Sequence, residues 1–92
     1  VIIGFKHKGL ERFYRTGRPG GINAQHADKL RRLLSALDIS TEPADMNLPG
    51  ARLHQLKGDR RGAWAVWVSG NWRLVFAFDG HDVTGVDYVD YH

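Results

Sequence analysis

Hydrophobic spacing divides the 92 residues into a helical first half and a strand-like second half. Residues 2–6, "IIGFK", read as a short opening strand. In "HKGLERFYRTG", Leu10, Phe13 and Tyr14 fall on one helical face and Gly17 is a natural stop. "RPGGIN" breaks the chain, and Asn23 is a good N-cap for a second helix over 24–38. Ala27, Leu30, Leu33, Leu34 and Leu37 give that helix one apolar stripe, with Lys29, Arg31 and Arg32 off it. That basic trio suits a solvated helix face better than an RNA contact surface. "DISTEPADMNLPG" carries two prolines and reads as a loop.

From Arg52 the period shortens to two. In "ARLHQLKG", Arg52, His54 and Leu56 share one face of an extended segment, with Leu53, Gln55 and Lys57 on the other. "GDRRG" (58–62) is a loop. "AWAVWVS" and "WRLVFAF" are strands rich in aromatic and β-branched residues. Gly70-Asn71 between them is a hairpin turn whose residues tolerate positive φ, and "DGHD" (79–82) is another turn. "VTGVDYVDYH" is a last strand. The order β-α-α-β-β-β-β specifies an α+β fold, with two helices packed on one antiparallel sheet in a single domain spanning 1–92.

Composition narrows the function classes. There is no cysteine, which excludes a disulfide framework, a thiol nucleophile and a thiolate metal site. The five histidines, 7, 26, 54, 81 and 92, show no close-spaced ligand pair, so neither a metal nor a cofactor is expected. No apolar run approaches a membrane span, and "VIIGFKHKGL" meets charge too soon to be a signal peptide, so the cytoplasm is the expected compartment and no membrane the expected partner. A formal charge of +3 leans towards a polyanionic partner. Phosphate-loop and G-x-S-x-G patterns are missing.

What remains is a set of polar groups around the sheet. If the last strands pair antiparallel, the start of 72–78 lies beside the end of 83–91, and Arg73 meets Asp90, Tyr91 and His92. His54 and Lys57 sit on the preceding strand. RNA scission needs such groups: a base for the 2′-hydroxyl, an acid for the leaving 5′-oxygen, and cations for the charge building at phosphorus. Histidine serves either proton role and arginine matches phosphate. Structural explanations stand beside each assignment. Taken alone, His54 on a strand suits a surface or hydrogen-bonded structural histidine better than a catalytic one, and Arg73 reads also as a partner of Asp87 or Asp90. Trp64, Trp67 and Trp72 suit packing better than base stacking, and Asp79, His81 and Asp82 read as solvated turn residues.

The whole chain resembles the HigB-type toxins, a branch of the RelE/ParE superfamily. The resemblance rests on "FKHKGLERFY" (5–14), "LHQLKGDRRGAWAVWVSGNWRLVFAF" (53–78) and the terminal "YVDYH". "LKGDR", then G-x-W, then "NWR", then "DYH" in that order is the specific signal. The resemblance implies a microbial RNase-like fold with two N-terminal helices on a curved antiparallel sheet. It implies a metal-independent endoribonuclease that cuts messenger RNA in the ribosomal A site. It implies a HigA-type helix-turn-helix antitoxin, through which the chain reaches operator DNA indirectly. The family's functional positions correspond to His54, Lys57, Arg73, Asp90, Tyr91 and His92. Asp90 or His92 would be the base and His54 or His92 the acid. Arg73 would stabilise the phosphate, Tyr91 would orient the nucleotide, and Lys57, with Arg60 and Arg61 of the adjoining loop, would bind RNA. The competing expectation is a ParE-like toxin that binds DNA gyrase and cuts nothing.

Overall fold

A computed structural model describes residues 1–58 and 62–91. The chain forms helix α1 (Lys8–Thr16), helix α2 (Ala27–Ile39), and strands β1 (His54–Gln55), β2 (Ala63–Ser69), β3 (Trp72–Asp79) and β4 (Asp82–Asp90). The four strands make one antiparallel sheet in chain order. This is the expected α+β class. Two-residue turns join the long strands: Gly70-Asn71 between the paired Ser69 and Trp72, and Gly80-His81 between the paired Asp79 and Asp82. Gly70 and Gly80 take positive φ, whereas Asn71 does not, so glycine alone supplies the left-handed conformation in the first turn.

The helices begin and end as their sequences dictate. His7 Nδ1 accepts the Leu10 N–H at 2.9 Å to cap α1, and left-handed Gly17 returns its N–H to the Phe13 carbonyl. Asn23 caps as expected, accepting from Gln25 N–H, but it caps a single 3-10 turn over Ala24–His26, and α2 proper starts at Ala27. Leu30, Leu33, Leu34 and Leu37 of α2 join Leu10 and Phe13 of α1 against Val66, Val68, Leu74, Phe76, Val83, Val86 and Tyr88 of the sheet. The 40–50 connection is more than a loop. It contains a 3-10 turn over Pro43–Met46 that drives Met46 fully into this core.

The opening strand expected at 2–6 does not form. Ile2 and Phe5 instead make two isolated parallel bridges to Val83 and Val86 of β4. A continuous parallel ladder would repeat every two residues. Here three separate the bridges, because Gly85 sits at φ +62° and β4 bulges there. The expected β-α-α-β-β-β-β order therefore becomes α-α-β-β-β-β with an N-terminal segment laid along the β4 edge. Asp38 Oδ1 ties that segment to the helices by accepting the Ile2 N–H (3.1 Å) and the Tyr14 hydroxyl (2.9 Å).

Candidate active site on the helix-free face of the sheet

Strand register decides which side chains share a face. Directly opposed residues lie on the same side. Trp72, Leu74, Tyr88 and Asp90 belong to the side covered by the helices: Trp72 pairs with Asp90 and Leu74 with Tyr88. On the other side His54 pairs with Ala65, Ala65 with Val75, and Val75 with Asp87. The next row is Trp67, Arg73 and Val89. His54 and Arg73 therefore share the helix-free face, two strands and two residues apart, roughly 12 Å at Cα from sheet spacings.

The expected juxtaposition at the end of the sheet is present in the backbone. The start of β3 meets the end of β4, and the Tyr91 N–H extends the ladder to the Asn71 carbonyl at 2.8 Å. Regular pairing through Asp90 has a consequence for that acid. It starts from the face of Tyr88 and Trp72, opposite Arg73, so a site using both must wrap around the sheet end. Asp90 is near enough to Tyr88 to act on its phenol. Burial first, and then the Asp90 charge, raise the Tyr88 pKa, while a hydrogen bond with the Asn23 backbone lowers it. Beneath this corner Tyr88 hydroxyl bonds His26 Nδ1 at 2.5 Å and stacks on Trp72 with ring centroids 4.4 Å apart. This buried pair holds the end of β4 against the turn before α2. His92, Arg60 and Arg61 lie outside the described residues.

His54 is exposed, and its ring meets the Arg52 backbone. Nδ1 donates to the Arg52 carbonyl at 3.2 Å, a bond that selects the Nδ1–H tautomer of the neutral ring. Lys57 is exposed just beyond β1. Arg73 folds back on the hairpin, with Nη1 donating to the carbonyls of Gly70 (3.0 Å) and Trp72 (3.1 Å). These contacts fix the fork's position and, among the described residues, use Nη1. A concavity of about 510 Å³ adjoins this region of the face, with Val75, Asp87, Ala77, Thr84 and Lys6 among its walls.

Arg52 and Trp67 belong to this neighbourhood in ways the sequence does not show. Arg52 has φ +53°, so the alternation that would place it with His54 breaks at that position. A left-handed arginine costs about 1–2 kcal/mol. Trp67 is not a core residue like Trp64 and Trp72. Its ring carries the Arg52 guanidinium at 4.6 Å and the Lys29 ammonium of α2 at 4.4 Å, while its indole N–H donates to the same Gly70 carbonyl that holds Arg73. The basic trio on α2 is thereby divided. Arg31 pairs with Asp28 and lies over Phe13, whereas Lys29 turns to Trp67. The signal for this was available only in three dimensions, since Lys29, Arg52 and Trp67 are far apart in sequence.

Among the described residues, no three histidine, aspartate or glutamate side chains gather closely enough to hold a metal ion, and no helix is long and apolar enough to cross a membrane.

Comparison with known proteins gives concordant matches. The family model described as the RelE-like toxin of type II toxin-antitoxin system HigB matches residues 3–92. Endoribonuclease HigB of Proteus vulgaris is 41% identical over 92 residues, covering all of both chains. Toxin HigB-1 of Vibrio cholerae serotype O1 is 32% identical over 97 residues, covering all of this chain and 98% of the relative.

Proposed function

Because the chain belongs to the HigB-like toxins, the RelE-like toxins of type II toxin–antitoxin systems, we propose that it is an endoribonuclease that cuts translated messenger RNA in the ribosomal A site. The Proteus vulgaris relative is named for RNA cutting, and its full-length match supports extending that activity here. The observation that carries the reading is the meeting of the β3 start with the β4 end, beside a face that carries both exposed His54 and half-buried Arg73, about 12 Å apart at Cα.

The chemistry follows from those groups. The RNA 2′-hydroxyl gives up its proton as its oxygen attacks the adjacent phosphorus. The bond from phosphorus to the 5′-oxygen breaks, and that oxygen takes a proton. The products are a 2′,3′-cyclic phosphate and a 5′-hydroxyl. Asp90 or His92 accepts the first proton. His54, as an imidazolium carrying a proton on Nε2, or His92 supplies the second. Arg73 offers its remaining N–H donors to the charge that builds on the phosphate oxygens. Tyr91 orients the nucleotide, and Lys57, Arg60 and Arg61 bind the RNA backbone. Proton transfer and cationic stabilisation suffice for this reaction, so it runs without metal or cofactor. The antitoxin is of the helix-turn-helix HigA type, links the toxin to operator DNA, and meets it in the cytoplasm.

Induced expression with transcriptome-wide mapping of new 5′ ends tests this. Cuts inside translated codons are expected; they should vanish in Asp90→Ala or in His92→Ala, full cutting by both variants removing the two from the mechanism, and fall at least about 100-fold in His54→Ala. Intact messages accompanied by a DNA-damage response would instead match a toxin that binds gyrase.

A further inference from the structure

Lys29, Arg32 and Arg52 come from two distant parts of the chain yet act on one another. Burial, and then the charges of Arg32 and Arg52, pull the Lys29 ammonium below its usual pKa. Like charges gathered this way repel. The two ion pairs among the described residues, Arg15–Glu11 and Arg31–Asp28, use none of the three. Trp67 holds two of the cations by its ring, and a left-handed backbone at Arg52 delivers one of them. Beside them, between α2 and the 48–51 connection, lies a hollow of about 300 Å³ with Lys29 and Arg32 on its rim and Leu33, Leu48 and Ala51 in its walls.

We propose that Lys29, Arg32 and Arg52, displayed on and around Trp67, form a second RNA-binding site that grips phosphates outside the codon being cut. The cluster is continuous with the candidate active site through two carbonyls. That of Arg52 holds the His54 ring, and that of Gly70 holds both Trp67 and Arg73. Phosphates bound at the cluster would thus be registered against His54 and Arg73. The Trp67 ring already carries cations, so the site reads backbone charge and not base identity. A prearranged cationic cluster of this kind fits a polyphosphate better than a single carboxylate, since each cation replaces a counterion released from the RNA.

The inference rests on the reading of the chain as an RNA-cutting toxin, and binding can be tested apart from cutting. The full chain carrying Lys29→Gln, Arg32→Gln and Arg52→Gln is titrated against message-programmed ribosomes and against free single-stranded RNA, across a salt series. A control carrying Arg12→Gln, Arg15→Gln and Arg31→Gln removes the same charge elsewhere. The triple variant should bind about 10- to 100-fold more weakly, with a salt slope shallower by about two to three, while the control stays near wild type. Weakening towards ribosomes alone assigns the site to ribosomal RNA, and weakening towards both probes assigns it to the message. If circular dichroism shows the triple variant unfolded, Arg32→Gln alone is used, with an expected slope change of about one. Wild-type affinity and slope in the neutralised variant overturn the proposal. So does an equal loss in the control, or a loss of antitoxin affinity with ribosome affinity kept. A wild-type protein that binds ribosomes but leaves the message whole defeats the cleavage reading and not this one.

Discussion

Arg52 shows how much one backbone angle can arrange. At φ +53° its carbonyl reaches the His54 ring while its side chain reaches Trp67. Only glycine takes that conformation without steric cost. Arg52→Gly and Arg52→Ala both delete the guanidinium, but alanine keeps the strain. The glycine variant should be the more stable of the two by about 1 kcal/mol in urea denaturation. Equal stabilities, or a more stable alanine variant, would show that the left-handed angle is not held in solution. Asp45 gives a pH-dependent counterpart. Its carboxylate accepts the Thr41 N–H at 3.0 Å and then the Glu42 N–H at 3.3 Å, and these bonds, Thr41 first, hold its pKa below the usual range. A depressed folded-state value means the contribution is present above the unfolded pKa and disappears as pH falls through the folded one. Acid unfolding below about pH 4 should therefore be less steep in Asp45→Asn than in the wild type. Superimposable acid limbs would remove Asp45 from the account.

At the scale of elements, close backbone approach decides one junction. A Cβ added at Gly9 of α1 would lie 2.5 Å from the Gly21 carbonyl oxygen and 2.8 Å from its Cα. Alanine gains about 1 kcal/mol of helix propensity, but overpacking against backbone costs about 1–3 kcal/mol. The clash wins, so Gly9→Ala should lower the urea midpoint, and a raised midpoint would mean the two segments are not in contact. The sequence carries no mark of this pairing, since the Pro19-Gly20-Gly21 stretch reads simply as a break. The three long strands were legible because Ala63–Ser69, Trp72–Asp79 and Asp82–Asp90 are rich in β-branched and aromatic residues between glycine turns. The segment at 2–6 misled for a reason outside itself: its partner strand bulges at Gly85, so a strand-like sequence finds only two bridges. Met46 was hidden in a polar stretch, where proline and a carboxylate cap wind the chain tightly enough to bury it.

For the whole molecule, the formal charge of +3 says less than its distribution. Arg15 and Arg31 are tied up in helix-surface ion pairs, while Lys29, Arg52 and Arg73 are drawn together around one tryptophan and one hairpin. The pairing of the start of β3 with the end of β4 was legible from the short turn at 79–82, which makes the two strands antiparallel. Arg73 and Asp90 were expected to meet there, but they start from opposite faces, because the strand does not loosen: pairing stays regular to Asp90 and continues at the Tyr91 N–H. What alternation could not supply is the gathering of Lys29 and Arg52 over Trp67, which depends on contacts between residues distant in sequence.

The chemistry of the cut ends tests the central claim most directly. Purified protein is incubated with programmed ribosomes, and the new RNA termini are analysed by end-specific labelling and mass. Attack by the 2′-hydroxyl predicts a 5′-hydroxyl on the downstream fragment and a 2′,3′-cyclic phosphate, or the 3′-phosphate from its hydrolysis, on the upstream one. A 5′-phosphate opposite a free 3′-hydroxyl, or an uncut message at saturating protein, would contradict the account.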